Sequence, residues 1–327
     1  MSPRQNLQFC AAADGTRIAI AAIGSGPPLV RAAHWLSHVE HDLASPVWGP
    51  WLRELSRGHS YIRYDQRGCG LSDREVADLS LDAWVGDLEA VVSALGLQRF
   101  PLFGMSQGGA VAIAYAVRHP ERVSQLVLAG AYARGALRRS PSESARLEAE
   151  TLVNLVRLGW GRDNPAFRQV FTNQFIPGAT PEQHQWWNEL ERVSASPEVA
   201  ARTLEAFHQI DVDELARSLS VPTLVLHSRG DARVPFDEGR RLAALIPGAR
   251  FVPLSSDNHV LLESEPAWGH FLDELQTFLH APAGDATEGM LLTPAERDVL
   301  RLVAQGLDNQ AIAERLGKSE KTVRNQV

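Results

Sequence analysis

Hydrophobic and polar positions follow two different rhythms over the first third of the chain. Residues 17–23, 29–33 and 61–64 are short apolar, β-prone runs, and Gly24-Ser25-Gly26-Pro27-Pro28 ends the first of them as a turn. Residues 81–95 switch to helical spacing, with Leu81, Val85, Leu88, Val92 and Leu95 on one face and acidic residues opposite. A strand over 101–104, a helix over 107–118 and a strand over 123–129 follow. This succession predicts βαβ units and a mostly parallel sheet with helices on both faces, an α/β fold.

From 131 to 219 the periodicity is helical, the composition rich in Arg, Glu, Ala and Trp, and no strand is evident. The stretch reads as a helical cap inserted after Ala129. Alternation then resumes with a strand over 222–227, a helix over 237–246, a strand over 250–254 and a helix over 267–280. Ala281-Pro282-Ala283-Gly284-Asp285 opens a small-residue linker over 281–291. Beyond it every signal is helical. Thr293-Pro294-Ala295-Glu296 makes a capping box with Pro at the first helical position, Gly306 stops that helix, Asp308 caps a second through Leu316, and Ser319 caps a third after Gly317.

Length sharpens this division. A single core stops growing at about 250–300 residues, so 327 residues suit a large domain over 1–280 and a small module over 292–327. Hydrophobic residues at 44% and charged residues at 22% exclude wholesale disorder. The net charge of -7 argues against a surface coated with nucleic acid or anionic lipid. The charge is uneven: +1 from Leu291 onward and -8 before it. Two cysteines, Cys10 and Cys69, are too few for a disulfide framework and predict a reduced, cytoplasmic protein. No secretory h-region opens the chain and no apolar run reaches the roughly 18–20 residues of a membrane span, so no membrane partner is expected.

The candidate chemistry centres on Gly104-Met105-Ser106-Gln107-Gly108, a G-x-S-x-G string between an apolar strand and an Ala/Val helix. A serine forced into a tight strand-to-helix turn needs minimal neighbours, which Gly104 and Gly108 supply. A serine hydroxyl also needs a base, and the base an orienting acid. Asp231 and His259 each follow a predicted strand, where open α/β sheets carry functional loops. Asp257, Asp211 and Asp213 compete for the acid role, with Asp231 favoured for its rigid strand-end position. Backbone N–H donors for a developing oxyanion are expected from Gln107, at a helix N-terminus, and from the loop after residues 29–33. His34, His38, His41, Glu40 and Asp42 form a dense polar segment that is read as an entrance loop, and no metal or cofactor is expected. Cys69 reads as a packing residue.

With these residues in view, the first 280 residues resemble the α/β-hydrolase family. Asp65-Gln66-Arg67-Gly68-Cys69-Gly70-Leu71-Ser72-Asp73 matches the family's D-x-R-G-x-G-x-S-D loop, and Val221-Pro222-Thr223-Leu224-Val225-Leu226-His227 resembles the strand leading to its acid. The resemblance implies Ser106 as nucleophile, Asp231 as orienter, His259 as general base, and the amides of Trp35 and Gln107 as oxyanion donors. It departs at Ala33-His34-Trp35, where family members commonly carry His-Gly before the first donor, a departure that bears on that donor's geometry. A Ser nucleophile disfavours the epoxide hydrolase and dehalogenase branches, which attack with Asp. A cap rich in aromatics implies a closed, largely apolar pocket for a small ester, thioester or lactone, with His34, Met105, Trp160, Trp186 and Trp187 as candidates for its wall.

Residues 292–327 resemble a LuxR-type helix-turn-helix, with Gln310-Ala311-Ile312-Ala313 and Lys321-Thr322-Val323-Arg324-Asn325 among the matching strings. The resemblance implies a groove-binding helix from Glu320, with Lys321, Thr322, Arg324 and Asn325 near phosphates or base edges. It also implies a longer recognition helix and a fourth, dimerising helix, so the segment ending at Val327 reads as incomplete. The parent protein is expected to bind DNA and this chain weakly or not at all, with a homodimer as a candidate assembly. Together the two resemblances imply a LuxR-type regulator whose hydrolase domain binds and cleaves a small ligand. The alternatives are a plain esterase or lactonase without a DNA role, and a catalytically silent ligand sensor.

Overall fold

The computed structural model describes residues 4–162, 165–281, 299, 302–303, 307–319 and 323. Within them lies one eight-stranded sheet. Its strands are β1 (Gln5–Ala11), β2 (Arg17–Gly24), β3 (Pro28–Arg31), β4 (Ser60–Tyr64), β5 (Phe100–Met105), β6 (Val123–Ala129), β7 (Thr223–Ser228) and β8 (Arg250–Leu254). Their order is β1-β2-β4-β3-β5-β6-β7-β8. The β1–β2 and β2–β4 pairs are antiparallel, and every later pair is parallel. The strands from β3 to β7 are almost wholly buried, as expected of a sheet with helices on both faces.

The helices of the sheet layers are α1 (Trp48–Leu55), α2 (Leu81–Ala94) and α3 (Gly108–Arg118). Between β6 and β7 come α4 (Ala136–Arg139), α5 (Glu143–Gly159), α6 (Pro165–Phe175), α7 (Pro181–Ser194), α8 (Pro197–Gln209) and α9 (Asp213–Arg217). After β7 follow α10 (Phe236–Leu245), α11 (Pro266–His280) and α12 (Asn309–Leu316). Cap helices start where side chains satisfy their free amides: Ser142, Thr180 and Ser196 each accept from the backbone three residues on, and Thr180 and Gln183 complete a capping box. Asp308 caps α12 in the same way and Gly317 ends it in the left-handed conformation.

One hydrophobic cluster unites the sheet with the cap. Leu102, Phe103 and Leu126 belong to it, and so do Trp160, Phe171, Trp187, Leu190, Leu204 and Phe207. Val299, Leu302, Ile312, Ala313 and Val323 form a second, small cluster. Most of the capping-box helix and all four candidate DNA contacts, Lys321, Thr322, Arg324 and Asn325, lie outside the described residues, as does the linker beyond Ala281.

The D-x-R-G-x-G loop after β4 works as a brace. The Asp65 carboxylate is fully buried and accepts from the amides of Val39 (2.9 Å) and Leu71 (2.8 Å). It thereby ties the loop after β3 to the loop after β4. Burial pushes its pKa up to about 6, against the pull of those amides. Arg67 pairs with Asp87 on α2 at 2.7 Å and with Asp14 at 2.8 Å, anchoring the same loop from behind. Cys69 is buried and its thiol is raised to about 12 by that burial, in keeping with a packing role.

Candidate active site

Ser106 stands at the end of β5, immediately before α3, with φ = 52°. Only Leu36 shares a positive φ among the described non-glycine residues. An L-residue is strained there, and close packing enforces the turn. A methyl group on Gly104 would lie 2.8 Å from Ala112 Cβ and from Gly109 Cα, and one on Gly108 would lie 2.8 Å from the Ala33 carbonyl oxygen. The Ser106 amide donates to Ala129 O at 3.0 Å, joining the turn to β6.

His259 and Asp231 arrive from the loops after β8 and β7. His259 Nδ1 lies 2.7 Å from Asp231 Oδ2. A carboxylate only accepts, so Nδ1 carries the proton and a neutral ring presents a bare Nε2. That Nε2 is buried and has no hydrogen-bond partner. The other oxygen, Oδ1, accepts from the amides of Arg233 and Val234, each at 2.8 Å. Burial alone raises the Asp231 pKa, but the His259 imidazole and these bonds outweigh it and hold the group below the ordinary carboxylate range. His227 Nε2 donates to Val234 O at 3.0 Å and stands 3.6 Å from Asp231 Oδ2, bracing the loop from the strand side.

Gly130 makes room for this pair. Its φ is 55°, and a methyl group there would lie 3.0 Å from His259 Cε1 and 3.2 Å from Nδ1. The competing acids are elsewhere: Asp213 binds Arg241, Asp211 accepts from the Asp213 amide, and Asp257 packs against Gly230.

Ser106 and His259 face one cavity of about 520 Å³. Its floor comes from the carboxyl ends of strands, with His34, Trp35, Met105, Ser106, Tyr132, Arg233 and His259. Its roof comes from the cap, with Arg139, Ala149, Leu152, Phe175, Trp187, Phe207 and His208. This is where open α/β sheets place their ligands.

Trp35 lines the cavity beside Ser106, while Gln107 is buried at the start of α3. The turn near Trp35 does not rest on His34, whose φ is not positive; the left-handed residue is Leu36, at φ = 60°. His34 Nδ1 donates to Trp35 O at 2.5 Å, and its pKa falls well below the ordinary value, first through burial and then through the charge of Arg31. His34 is therefore a neutral ring on the cavity wall.

Two of the aromatic candidates stand elsewhere. Trp160 lies behind the wall, its ring stacked on Trp35 at 5.3 Å and its indole N–H donating to Ala195 O at 3.0 Å. Trp186 stacks on His41 at 4.8 Å, outside the cavity. Consecutive helical residues point about 100° apart, so of Trp186 and Trp187 only the second faces inward. The polar segment after β3 also disperses, since Asp42 pairs with Arg63 at 2.8 Å while His41 lies against Trp186. Gly130, Tyr132, Arg139, His208 and Arg233 belong to no motif in the sequence, and His227 appears there only as the end of the strand leading to Asp231. Only Gly130, a glycine directly after a strand, left a local signal.

Residues 42–266 match the family model described as alpha/beta hydrolase fold, and residues 290–327 match that of bacterial regulatory proteins, luxR family. The AB hydrolase superfamily protein YisY of Bacillus subtilis is 30% identical over 241 residues, covering 72% of this chain and 86% of its own. A non-heme haloperoxidase of Rhodococcus erythropolis is 28% identical over 254 residues, 75% of this chain and 89% of its own. Among solved structures, an esterase from Exiguobacterium antarcticum superposes with a TM-score of 0.71 at 26% identity, covering 83% of this chain and 98% of the esterase. No helix among the described residues is long and apolar enough to cross a membrane.

Proposed function

The chain belongs to the alpha/beta hydrolase family and carries a luxR-family segment at its C-terminal end, and we propose that it is a serine hydrolase acting on a small ester, thioester or lactone within a transcriptional regulator. The observation that carries this reading is the bare, buried Nε2 of His259, oriented by Asp231, in the same cavity as the strained Ser106. On this reading Nε2 takes the Ser106 hydroxyl proton as Oγ attacks the carbonyl carbon. The tetrahedral oxyanion is held by the amides of Trp35 and Gln107. The imidazolium returns its proton to the leaving oxygen or sulfur, and an acyl-serine remains. Water, activated by the same nitrogen, releases the acid and restores the hydroxyl. The esterases among the solved structures support the reaction class.

The luxR-family match favours a regulatory role for the whole polypeptide. In this proposal 1–280 is the hydrolase unit with its cap at 131–219, 281–291 is the linker, and Lys321, Thr322, Arg324 and Asn325 of 292–327 approach DNA. Intact-mass analysis after treatment with a fluorophosphonate tests the enzymatic part. One adduct on the wild type, lost in Ser106→Ala, is expected. Folded protein that takes up no adduct overturns the hydrolase reading and leaves a ligand-binding sensor in its place.

A further inference from the structure

The cavity contains more positive charge than the reaction just described needs. Arg139 enters from α4 in the cap and Arg233 from the loop after β7, and both line the wall. The Arg139 guanidinium lies over the Tyr132 ring at 5.8 Å and that of Arg233 over the Phe175 ring at 5.6 Å. Such stacking positions a guanidinium without neutralising it. Their polar contacts are also neutral: Arg139 donates to Arg134 O at 3.3 Å and Arg233 to Gln174 Oε1 at 3.4 Å. Each head carries five N–H groups, so most of its donors are left over.

Among the described residues neither arginine has a carboxylate within ion-pair distance, unlike Arg63 on β4, Arg67 in the loop after it, Arg157 on α5 and Arg241 on α10. The acids of the neighbourhood are committed. Asp231 is held by His259 and two amides, the buried Glu238 pairs with Arg134 at 3.5 Å, and Glu148, on the cavity rim, accepts from Ser144 Oγ at 3.3 Å. The buried His208 beside them is driven toward neutrality, to about 4, by burial and then by the charges of Arg233 and Arg139. Two half-buried cations with no carboxylate in direct contact, Asp231 and Glu238 acting on them only from farther off, are costly to hold side by side. A ligand that brings the anion removes that cost.

We propose that Arg139 and Arg233 form a carboxylate subsite inside the cavity, so that the ester, thioester or lactone cleaved at Ser106 bears a second, anionic end. This rests on the hydrolase reading and narrows its substrate class: an apolar acyl chain along Leu152, Trp187 and Phe207, and a carboxylate between the two guanidiniums. Arginine is suited to the task because its planar fork matches a carboxylate with paired hydrogen bonds.

The test uses the full chain and two esters that release the same leaving group, p-nitrophenyl hydrogen glutarate and its methyl ester. The wild type is expected to favour the acid by about tenfold or more in kcat/KM, the scale of one charge-assisted contact. Arg139→Gln and Arg233→Gln are each expected to bring that ratio toward one. Because the ratio is taken within each variant, a general loss of activity cancels. Cleavage of both esters with equal kcat/KM overturns the subsite and leaves the hydrolase standing. If folded wild type cleaves neither, the fluorophosphonate adduct still decides the hydrolase reading separately, and calorimetry on Ser106→Ala with glutarate and dimethyl glutarate decides the subsite. Binding of glutarate alone, lost in Arg139→Gln, upholds it; binding of both alike, or of neither, overturns it.

Discussion

His259 Nδ1 donates to Asp231 Oδ2 across 2.7 Å, and that one bond determines which nitrogen of the ring faces the cavity. If Asp231 becomes Asn, its amide N–H₂ turned toward His259 favours the opposite tautomer, with Nδ1 bare and the proton on Nε2. Asp231→Asn is expected to lower kcat for ester cleavage by about three to four orders of magnitude with little change in KM. Its Oδ1 can still accept from the Arg233 and Val234 amides, so circular dichroism and melting temperature stay close to wild type.

Gly130→Ala tests the space behind the same ring. The new methyl would sit 3.0 Å from His259 Cε1 at a backbone φ of 55°. Both effects are unfavourable, and a left-handed alanine alone costs about 1–2 kcal/mol. Denaturant titration should show that loss, and kcat should fall more than tenfold as the imidazole is displaced from Ser106.

Gly108→Ala probes the opposite wall. Its methyl would meet the Ala33 carbonyl oxygen at 2.8 Å, pushing on the segment that leads to Trp35. The expected result is a fall in kcat with KM nearly unchanged, since displaced oxyanion amides weaken the transition state more than substrate binding. A purely structural effect would lower the fraction of active enzyme, which active-site titration with a fluorophosphonate measures directly.

Trp160→Ala removes the ring stacked on Trp35 and leaves a void in the cap. A cost of about 3–5 kcal/mol is expected by denaturant titration. Because Trp35 also contacts Phe171, Phe175 and Phe207, its ring keeps partial support and catalysis is expected to fall rather than vanish.

Stability should depend on pH through His208. Its folded pKa, near 4, lies below the ordinary value of 6.5, so the ring is neutral in the native state where the unfolded chain would already bind a proton. Its contribution is complete above pH 6.5 and is lost as pH falls from 6.5 toward 4, amounting to about 3 kcal/mol. His208→Gln is expected to flatten the melting temperature against pH over that window.

The elements that were legible in the sequence share a physical reason. Strands β3 to β8 and helices α2, α3, α10 and α11 are buried on defined faces, and burial writes periodicity into sequence. Strand β1 left no such trace because most of its residues are exposed, Leu7 and Phe9 among them, as an edge strand allows. Helix α1 was hidden by Gly49 and Pro50, which read as breakers yet fall in its first turn, where proline is tolerated. Ser106, Asp231 and His259 announced themselves because each sits in a short loop just past a strand. Arg139, His208 and Arg233 carry no local pattern; they meet only because the cap folds back over the strand ends. Trp160 and Trp186 show the converse, since residue type suggested a pocket wall and side-chain direction placed them behind it.

The hydrophobic cluster running unbroken from the sheet into the cap makes the cavity an interior of one cooperative unit rather than a cleft between two bodies. Whatever occupies it touches both halves at once, so its binding energy adds to the resistance of the whole unit to unfolding. A ligand at a hundred times its Kd adds about 2.7 kcal/mol. Such a molecule would announce itself as a raised melting temperature before any product is identified, and an unfractionated metabolite library could be sorted by heat alone.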